Sequence, residues 1–192
     1  MKRIILTDRD KQIIQFLKDF KVADTNTLAN IFFNGSARPT QRRLKHLTEH
    51  GYIKNFQENI NLHKIHYVNK KPIQIKHNLI LSSFITELKK LDIEIIKYKV
   101  PYKFKNIIAD MFICFKYRNS TYIYFVEVEN TKKFDLDKYL KLFDSGEYKE
   151  VFPVMPPILV ISNKTVPKEI NKLTIVDVKT DFSNIENFIF NL

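Results

Sequence analysis

Apolar residues in the first fifty positions recur at intervals of three and four, which predicts three consecutive helices. The first helix begins after Thr7, because Thr7 and Asp10 have the spacing of a reciprocal N-terminal cap. A short second helix stops at Asn34-Gly35, since both residues tolerate positive φ. The third helix ends at Gly51 for the same reason.

The pattern after Gly51 changes from helical spacing to alternation, which is typical of strands. Residues 52–56 and 63–68 alternate between polar and apolar side chains, and a polar turn around 58–61 separates them. These two segments therefore predict a β-hairpin directly behind the third helix.

The remainder of the sequence mixes helical and strand patterns in an order that predicts a second α/β domain. We expect one helix, three strands, another helix, a buried strand, and then a further strand and helix. The predicted segments are a helix at 77–91, strands at 93–96, 107–115 and 122–129, a helix capped by Asp135, strands at 158–161 and 173–178, and a helix at 182–190.

Charge divides the sequence at the same place as the patterning. Residues 1–76 contain 15 Lys and Arg against 6 Asp and Glu, whereas residues 77–192 contain 17 against 15. The first segment thus carries +9 of the total charge of +11. A compact basic segment joined to a nearly neutral one predicts a polyanionic partner for the first domain.

The third predicted helix has two chemically different faces. Thr40, Leu44 and Leu47 share one face at 100° per residue, and Arg42 and Lys45 lie opposite. Arg38 belongs to the basic face too, and Gln41 flanks it. Arginine and glutamine side chains reach base edges in a major groove, and lysine reaches phosphates. A solvated helix face is the alternative interpretation.

The order of three helices and a hairpin favours DNA binding over that alternative. The stretch 42–56, RRLKHLTEHGYIKNF, resembles bacterial winged helix-turn-helix modules, and this resemblance implies double-stranded DNA as the partner. Use of the same fold for protein–protein interaction is the rival hypothesis. The predicted DNA-contacting residues are Arg38, Gln41, Arg42, Arg43, Lys45, Lys54 and Lys64.

Two carboxylates in the second domain lie in a pattern known from nucleases. Asp110 lies in the second predicted strand, and Glu127-Val128-Glu129 ends the third. This order resembles the PD-(D/E)XK nuclease fold, a mixed sheet in an α-β-β-β-α-β arrangement. The resemblance implies Mg²⁺ held by Asp110 and Glu127, since carboxylate oxygens are the ligands this cation prefers.

Glu129 departs from the nuclease pattern, because it occupies the position where that fold has a catalytic lysine. A carboxylate cannot supply the positive charge that positions water beside the metal. We therefore expect no catalysis and no cofactor. A Mg²⁺-dependent endonuclease that uses Asp110, Glu127 and Glu129 is the alternative, with a lysine moved in from elsewhere. The candidates for that lysine are Lys132, Lys133, Lys138 and Lys141.

The two halves together resemble the replication-relaxation family of plasmids and conjugative elements. The resemblance rests on three stretches: 42–56, HNLILSSFITEL at 77–88, and FVEVENTKKFDLDKYLKLF at 125–143. It implies a winged helix joined to a nuclease-like domain and a role in the replication, transfer or transcription control of a mobile element. The second domain would then serve dimerisation, contact with a partner or further DNA contact.

Several other classes of function find no support in the sequence. The single cysteine, Cys114, lies in an apolar run and is read as a core residue. His63 and His66, three apart on a strand, point to opposite faces and do not predict a shared metal. Apolar runs are too short for a membrane span or a signal peptide, so we expect a cytoplasmic protein with no membrane partner.

Overall fold

A computed structural model describes residues 4–59, 62–130, 133–166 and 172–189, and the chain forms two compact units, residues 1–89 and 90–192. The predicted α/β class with a mixed sheet is confirmed. In chain order the elements are α1 (Asp8–Phe20), β1 (Ala23–Asp24), α2 (Thr25–Phe32), α3 (Ala37–Glu49), β2 (Lys54–Phe56), β3 (Ile65–Tyr67), α4 (Ile75–Lys90), β4 (Glu94–Lys99), β5 (Tyr102–Phe104), β6 (Ile107–Ala109), β7 (Met111–Tyr117), β8 (Ser120–Glu129), α5 (Leu136–Ser145), a 3₁₀ helix (Glu147–Glu150), β9 (Ile158–Ser162), β10 (Ile175–Val178) and α6 (Glu186–Ile189).

The helices of the first unit begin and end where local chemistry favours it. Thr7 and Asp10 form the predicted reciprocal cap of α1, each side chain accepting from the other residue's backbone N–H. Asp24 caps α2 by accepting from the N–H of Thr27 at 2.6 Å. Gly35 takes a φ of +76° in the turn before α3, a value that a residue with a Cβ rarely adopts.

The first unit contains a three-stranded antiparallel sheet, formed by β1 from between α1 and α2 and by the two strands that follow α3. Its order is β1-β3-β2, so β3 lies in the centre and pairs with both neighbours. The strand β1 has two residues, too few for a recognisable alternation, and the sequence pattern missed it. Residues 60–61 of the predicted turn lie outside the described residues.

The helix α4 belongs to the first unit, so the chain divides after Lys89 and not after residue 76 as the sequence pattern suggested. The Ser83 hydroxyl lies 3.4 Å from that of Thr27, and Lys89 Nζ donates to the carbonyl of Ile31 at 2.7 Å. An amphipathic pattern reveals a buried face but not the partner that covers it. The charge imbalance persists, with 16 Lys and Arg against 7 Asp and Glu in residues 1–89.

The second unit is built on a five-stranded mixed sheet of order β10-β9-β8-β7-β4. The strands β4, β7 and β8 form an antiparallel meander, and β8, β9 and β10 run parallel. The predicted strand 107–115 is two strands, β6 and β7, with Asp110 between them, because β6 pairs with β5 in a separate hairpin. The last helix begins at Glu186 and not at residue 182 as predicted, and residue 190 lies outside the described residues.

Helix lengths and compositions also bear on membranes. Within the described ranges, none of the helices combines the length and the apolar character needed to cross a bilayer.

Candidate functional site

The helix α3 presents its predicted faces. Thr40, Leu44 and Leu47 are buried, so the helix docks through the expected side. The opposite side is exposed to solvent and carries Arg38, Gln41, Arg42 and Lys45. Lys45 Nζ lies 3.7 Å from Oε1 of Glu49, which is one turn further along the helix. Arg38 and Arg42 make no ion pair with any other described residue.

Arg43, one of the predicted DNA-contacting residues, is engaged inside the protein instead. Its Nε donates to Asp10 Oδ1 at 2.7 Å and its Nη2 donates to Asp10 Oδ2, while Nη1 lies 3.2 Å from His46 Nδ1. Asp10 is fully buried. Burial alone would raise the pKa of Asp10, but hydrogen bonds from Arg43 and Thr7 outweigh it and lower the pKa to about 2. We therefore remove Arg43 from the candidate DNA contacts.

The two predicted lysines of the hairpin have different surroundings. Lys64 lies on the side of the hairpin that faces α3. Lys54 donates to the carbonyl of Asn69 at 2.9 Å, and by strand alternation it lies on the face opposite to Asn55. Asn55 is the residue that contacts α3, donating to Thr48 Oγ1 at 3.2 Å. The structure thus brings Lys64 close to α3 and leaves Lys54 on the other face.

His66 is a buried residue whose role the sequence pattern did not reveal. Its Nε2 lies 3.0 Å from Thr25 Oγ1, and Thr25 also donates to the carbonyl of Lys64. Burial, followed by the charge of Lys64, lowers the pKa of His66 to about 4, so its ring is neutral near pH 7. The side chain joins the start of α2 to β3, and His63 is exposed.

Two of the predicted carboxylates meet on the sheet of the second unit. Asp110 Oδ2 accepts from the backbone N–H of Val128 at 2.8 Å, which places the Asp110 carboxylate beside Glu127. Glu127 is buried on the face of β8 that α5 covers. Burial and the neighbouring charge of Asp110 raise the pKa of Glu127, against the lowering effect of Lys138.

Among the candidate lysines that the structure describes, one reaches this pair. Lys138, from the first turn of α5, places Nζ 2.6 Å from Glu127 Oε1 and donates to the carbonyl of Ile108 at 2.8 Å. Tyr139 donates its hydroxyl to the same Glu127 oxygen. Lys133 and Lys141 are exposed, and Lys132 lies outside the described residues.

Glu129 is also neutralised, by a lysine that sequence reasoning missed. It is buried and accepts from Ser162 Oγ at 2.8 Å and from Lys164 Nζ at 3.2 Å. Burial would raise the pKa of Glu129, but these hydrogen bonds lower it overall. Lys164 lies 35 residues away in sequence, and only the parallel pairing of Glu129 with Ser162 brings it near.

The nuclease resemblance implies a Mg²⁺ held by Asp110 and Glu127. The ammonium group of Lys138 and the hydroxyl of Tyr139 both contact Glu127 Oε1, so a cation that used this oxygen would have to share or displace these contacts. In the part of the chain that is described, no three histidine, cysteine or carboxylate side chains are grouped to hold a metal.

Comparisons with protein-family models, curated proteins and solved structures find no match to the chain.

Proposed function

We propose that the first unit is a winged helix-turn-helix that binds double-stranded DNA through α3. The observation that carries this proposal is the exposed cationic face of α3, where Arg38 and Arg42 are without ion pairs among the described residues. The order α1-β1-α2-α3-β2-β3 and the sheet order β1-β3-β2 support it, since winged helices set a hairpin beside the recognition helix.

The charge of the two units supports placing DNA binding in the first. Residues 1–89 contain 16 Lys and Arg against 7 Asp and Glu, whereas residues 90–192 contain 16 against 14. A polyanion is therefore attracted mainly to the first unit. We propose that the second unit is a non-catalytic, nuclease-like domain and, from the family resemblance, that the protein is an accessory or regulatory factor of a mobile genetic element.

Arg42→Ala tests the role of α3. We expect this change to weaken binding to a preferred duplex by about 1–3 kcal/mol, because a bidentate arginine–guanine contact is worth that much. The melting temperature should barely change, since the Arg42 side chain is exposed. Fluorescence anisotropy against a duplex selected by the full chain measures the effect. Lys18→Ala, an exposed residue at the end of α1, is the control; equal losses for both variants would contradict the proposal.

A second candidate function, phosphodiester hydrolysis, is favoured by one specific observation. Lys138 brings a positive charge to Glu127. In the nuclease fold that charge comes from the strand position that Glu129 occupies in this chain. A hydrolytic centre would use that charge to position water and offset charge on the phosphate. To do so, Lys138 would have to leave the carboxylate it now neutralises.

A cleavage assay tests whether the second unit is catalytic. We expect the full chain, incubated with Mg²⁺ or Mn²⁺, to leave supercoiled, linear and single-stranded DNA intact, because Glu127 is buried and already hydrogen-bonded. Asp110→Asn and Glu127→Gln serve as matched variants. Metal-dependent cleavage that both substitutions abolish would establish the nuclease candidate and end the non-catalytic proposal.

A further inference from the structure

The exposed face of α3 is a ridge between two concave surfaces of the first unit. Arg38, Arg42, Lys45 and Glu49 lie within a narrow arc at 100° per residue, opposite the buried Leu47. Lys45 and Glu49 line both concave surfaces, which places these surfaces on the two flanks of the ridge.

The first concave surface lies between α3 and the start of α1. It has a volume of about 790 Å³, and Arg42 and Lys45 form its α3 side. Arg9 of α1 lines it too, with the guanidinium 4.9 Å from the centre of the Phe33 ring. Arg43 also lines it, but Asp10 neutralises that charge. Arg9 thus adds a cation that the sequence pattern did not indicate.

The second concave surface lies between α3 and the hairpin. It has a volume of about 440 Å³ and is lined by Gln41 and Thr48 from α3 and by Asn55 and Lys64 from the hairpin. Lys64 is the cation on the hairpin side, and the amides and hydroxyls add neutral hydrogen-bond donors. The Glu49 carboxylate lines both surfaces, and Lys45 offsets its charge with Nζ 3.7 Å from Oε1. The remaining cations and neutral donors of the two surfaces match a sugar–phosphate chain.

We infer that the two concave surfaces hold the two opposite backbones of one DNA duplex, with Arg9 contacting phosphate on one strand and Lys64 on the other. This inference rests on the proposed DNA binding. An α-helix with side chains is about 10–12 Å across and the major groove is about 12 Å wide, so a helix in the groove has one backbone along each flank.

The first test measures how the affinity of the full chain depends on salt. The probes are a 20-base-pair duplex and the variants Arg9→Gln, Lys64→Gln and the double variant, with Lys18→Gln as control. Each lost phosphate contact reduces the log–log salt slope by about 0.9. We expect that reduction for each single variant, about 1.8 for the double variant, and none for the control.

The second test asks whether the contacts fall on opposite strands. One strand of the duplex is replaced by uncharged methylphosphonate, so only one backbone carries charge. If the surfaces hold opposite strands, the charged strand can occupy whichever surface remains intact. Each single variant should then keep the wild-type slope on this probe, and the double variant should lose about 0.9.

Three outcomes are distinguishable. Additive losses on the half-neutral duplex would show that both cations contact one strand and would overturn the inference. A single variant that behaves like Lys18→Gln on the ordinary duplex would overturn it as well. Absence of wild-type binding to any duplex would instead remove the proposed function. Thermal unfolding of each variant checks that the fold persists. Glutamine is chosen as the replacement because it keeps much of the aliphatic part of the side chain.

Discussion

Arg43→Ala should lower the free energy of unfolding of the first unit by about 2–4 kcal/mol, the largest loss we expect from any arginine of α3. The substitution leaves the carboxylate of Asp10 fully buried without its cationic partner. Breaking a buried ion pair costs more than the pair contributes, because an uncompensated charge stays in the interior. Thr7 still donates to Asp10, and Arg43 is partly exposed, so the loss stays below that of a wholly buried pair.

The same pair predicts how stability depends on pH. The folded-state pKa of Asp10 is about 2, below the ordinary 3.8. A carboxylate with a lowered folded-state pKa stabilises the protein above its unfolded pKa and loses that contribution as the pH falls through the folded value. The wild type should therefore lose this contribution between about pH 4 and 2, and Arg43→Ala should show a smaller loss in that interval.

Chemical denaturation, monitored by hydrogen exchange of the α1 and α3 amides, measures the free energy of unfolding of the first unit. Repeating it between pH 2 and pH 7 measures the pH dependence. Arg42→Ala is the matched control, since the neighbouring side chain is exposed and forms no ion pair among the described residues. Adding Asp10→Asn to Arg43→Ala removes the buried charge and should recover part of the loss. An Arg43→Ala variant as stable as Arg42→Ala would show that the ion pair is not a stabilising contact.

The contrast between Arg42 and Arg43 shows how far the sequence could predict the site. Helical spacing identified the buried face of α3 correctly, because Thr40, Leu44 and Leu47 recur on it at intervals of four and three. Arg43 lies at the border between the faces, where spacing does not decide. Its partner Asp10 was identified only as a cap for α1, since a contact between residues 33 apart leaves no local trace in the sequence.

The second unit shows the same limit. Alternation and apolar runs located β4, β7, β8, β9 and β10 within a few residues, but they missed β5 and merged β6 with β7. Asp135 does cap α5. Which lysine approaches which carboxylate depends on how β8 pairs with β9 and how α5 packs on β8. The packing of α5 on β8 brings Lys138 to Glu127, and the pairing of β8 with β9 brings Lys164 to Glu129. Neither is encoded in a local motif.

Lys138→Met tests what the contact with Glu127 does for the fold. The substitution keeps an unbranched side chain on α5 but leaves Glu127 buried on β8 without a cation. We expect the second unit to lose about 2–4 kcal/mol of unfolding free energy at pH 7, since removing one partner of a buried pair is costly. The exposed Lys141→Met, on the same helix, is the matched control and should have little effect.

The pH dependence of this variant identifies the cause of the loss. The pKa of Glu127 is already raised by burial and by Asp110, and removing Lys138 raises it further. A carboxyl group with a raised folded-state pKa stabilises the protein below its unfolded pKa and loses that contribution as the pH rises through the folded value. Lys138→Met should therefore approach wild-type stability near pH 4 and become less stable than the wild type as the pH rises.

The double variant Glu127→Gln/Lys138→Met, which has no carboxylate to neutralise, should lack this trend. A loss that is the same at pH 4 and pH 7 would instead mean that Lys138 stabilises α5 by packing, with no contribution from its charge.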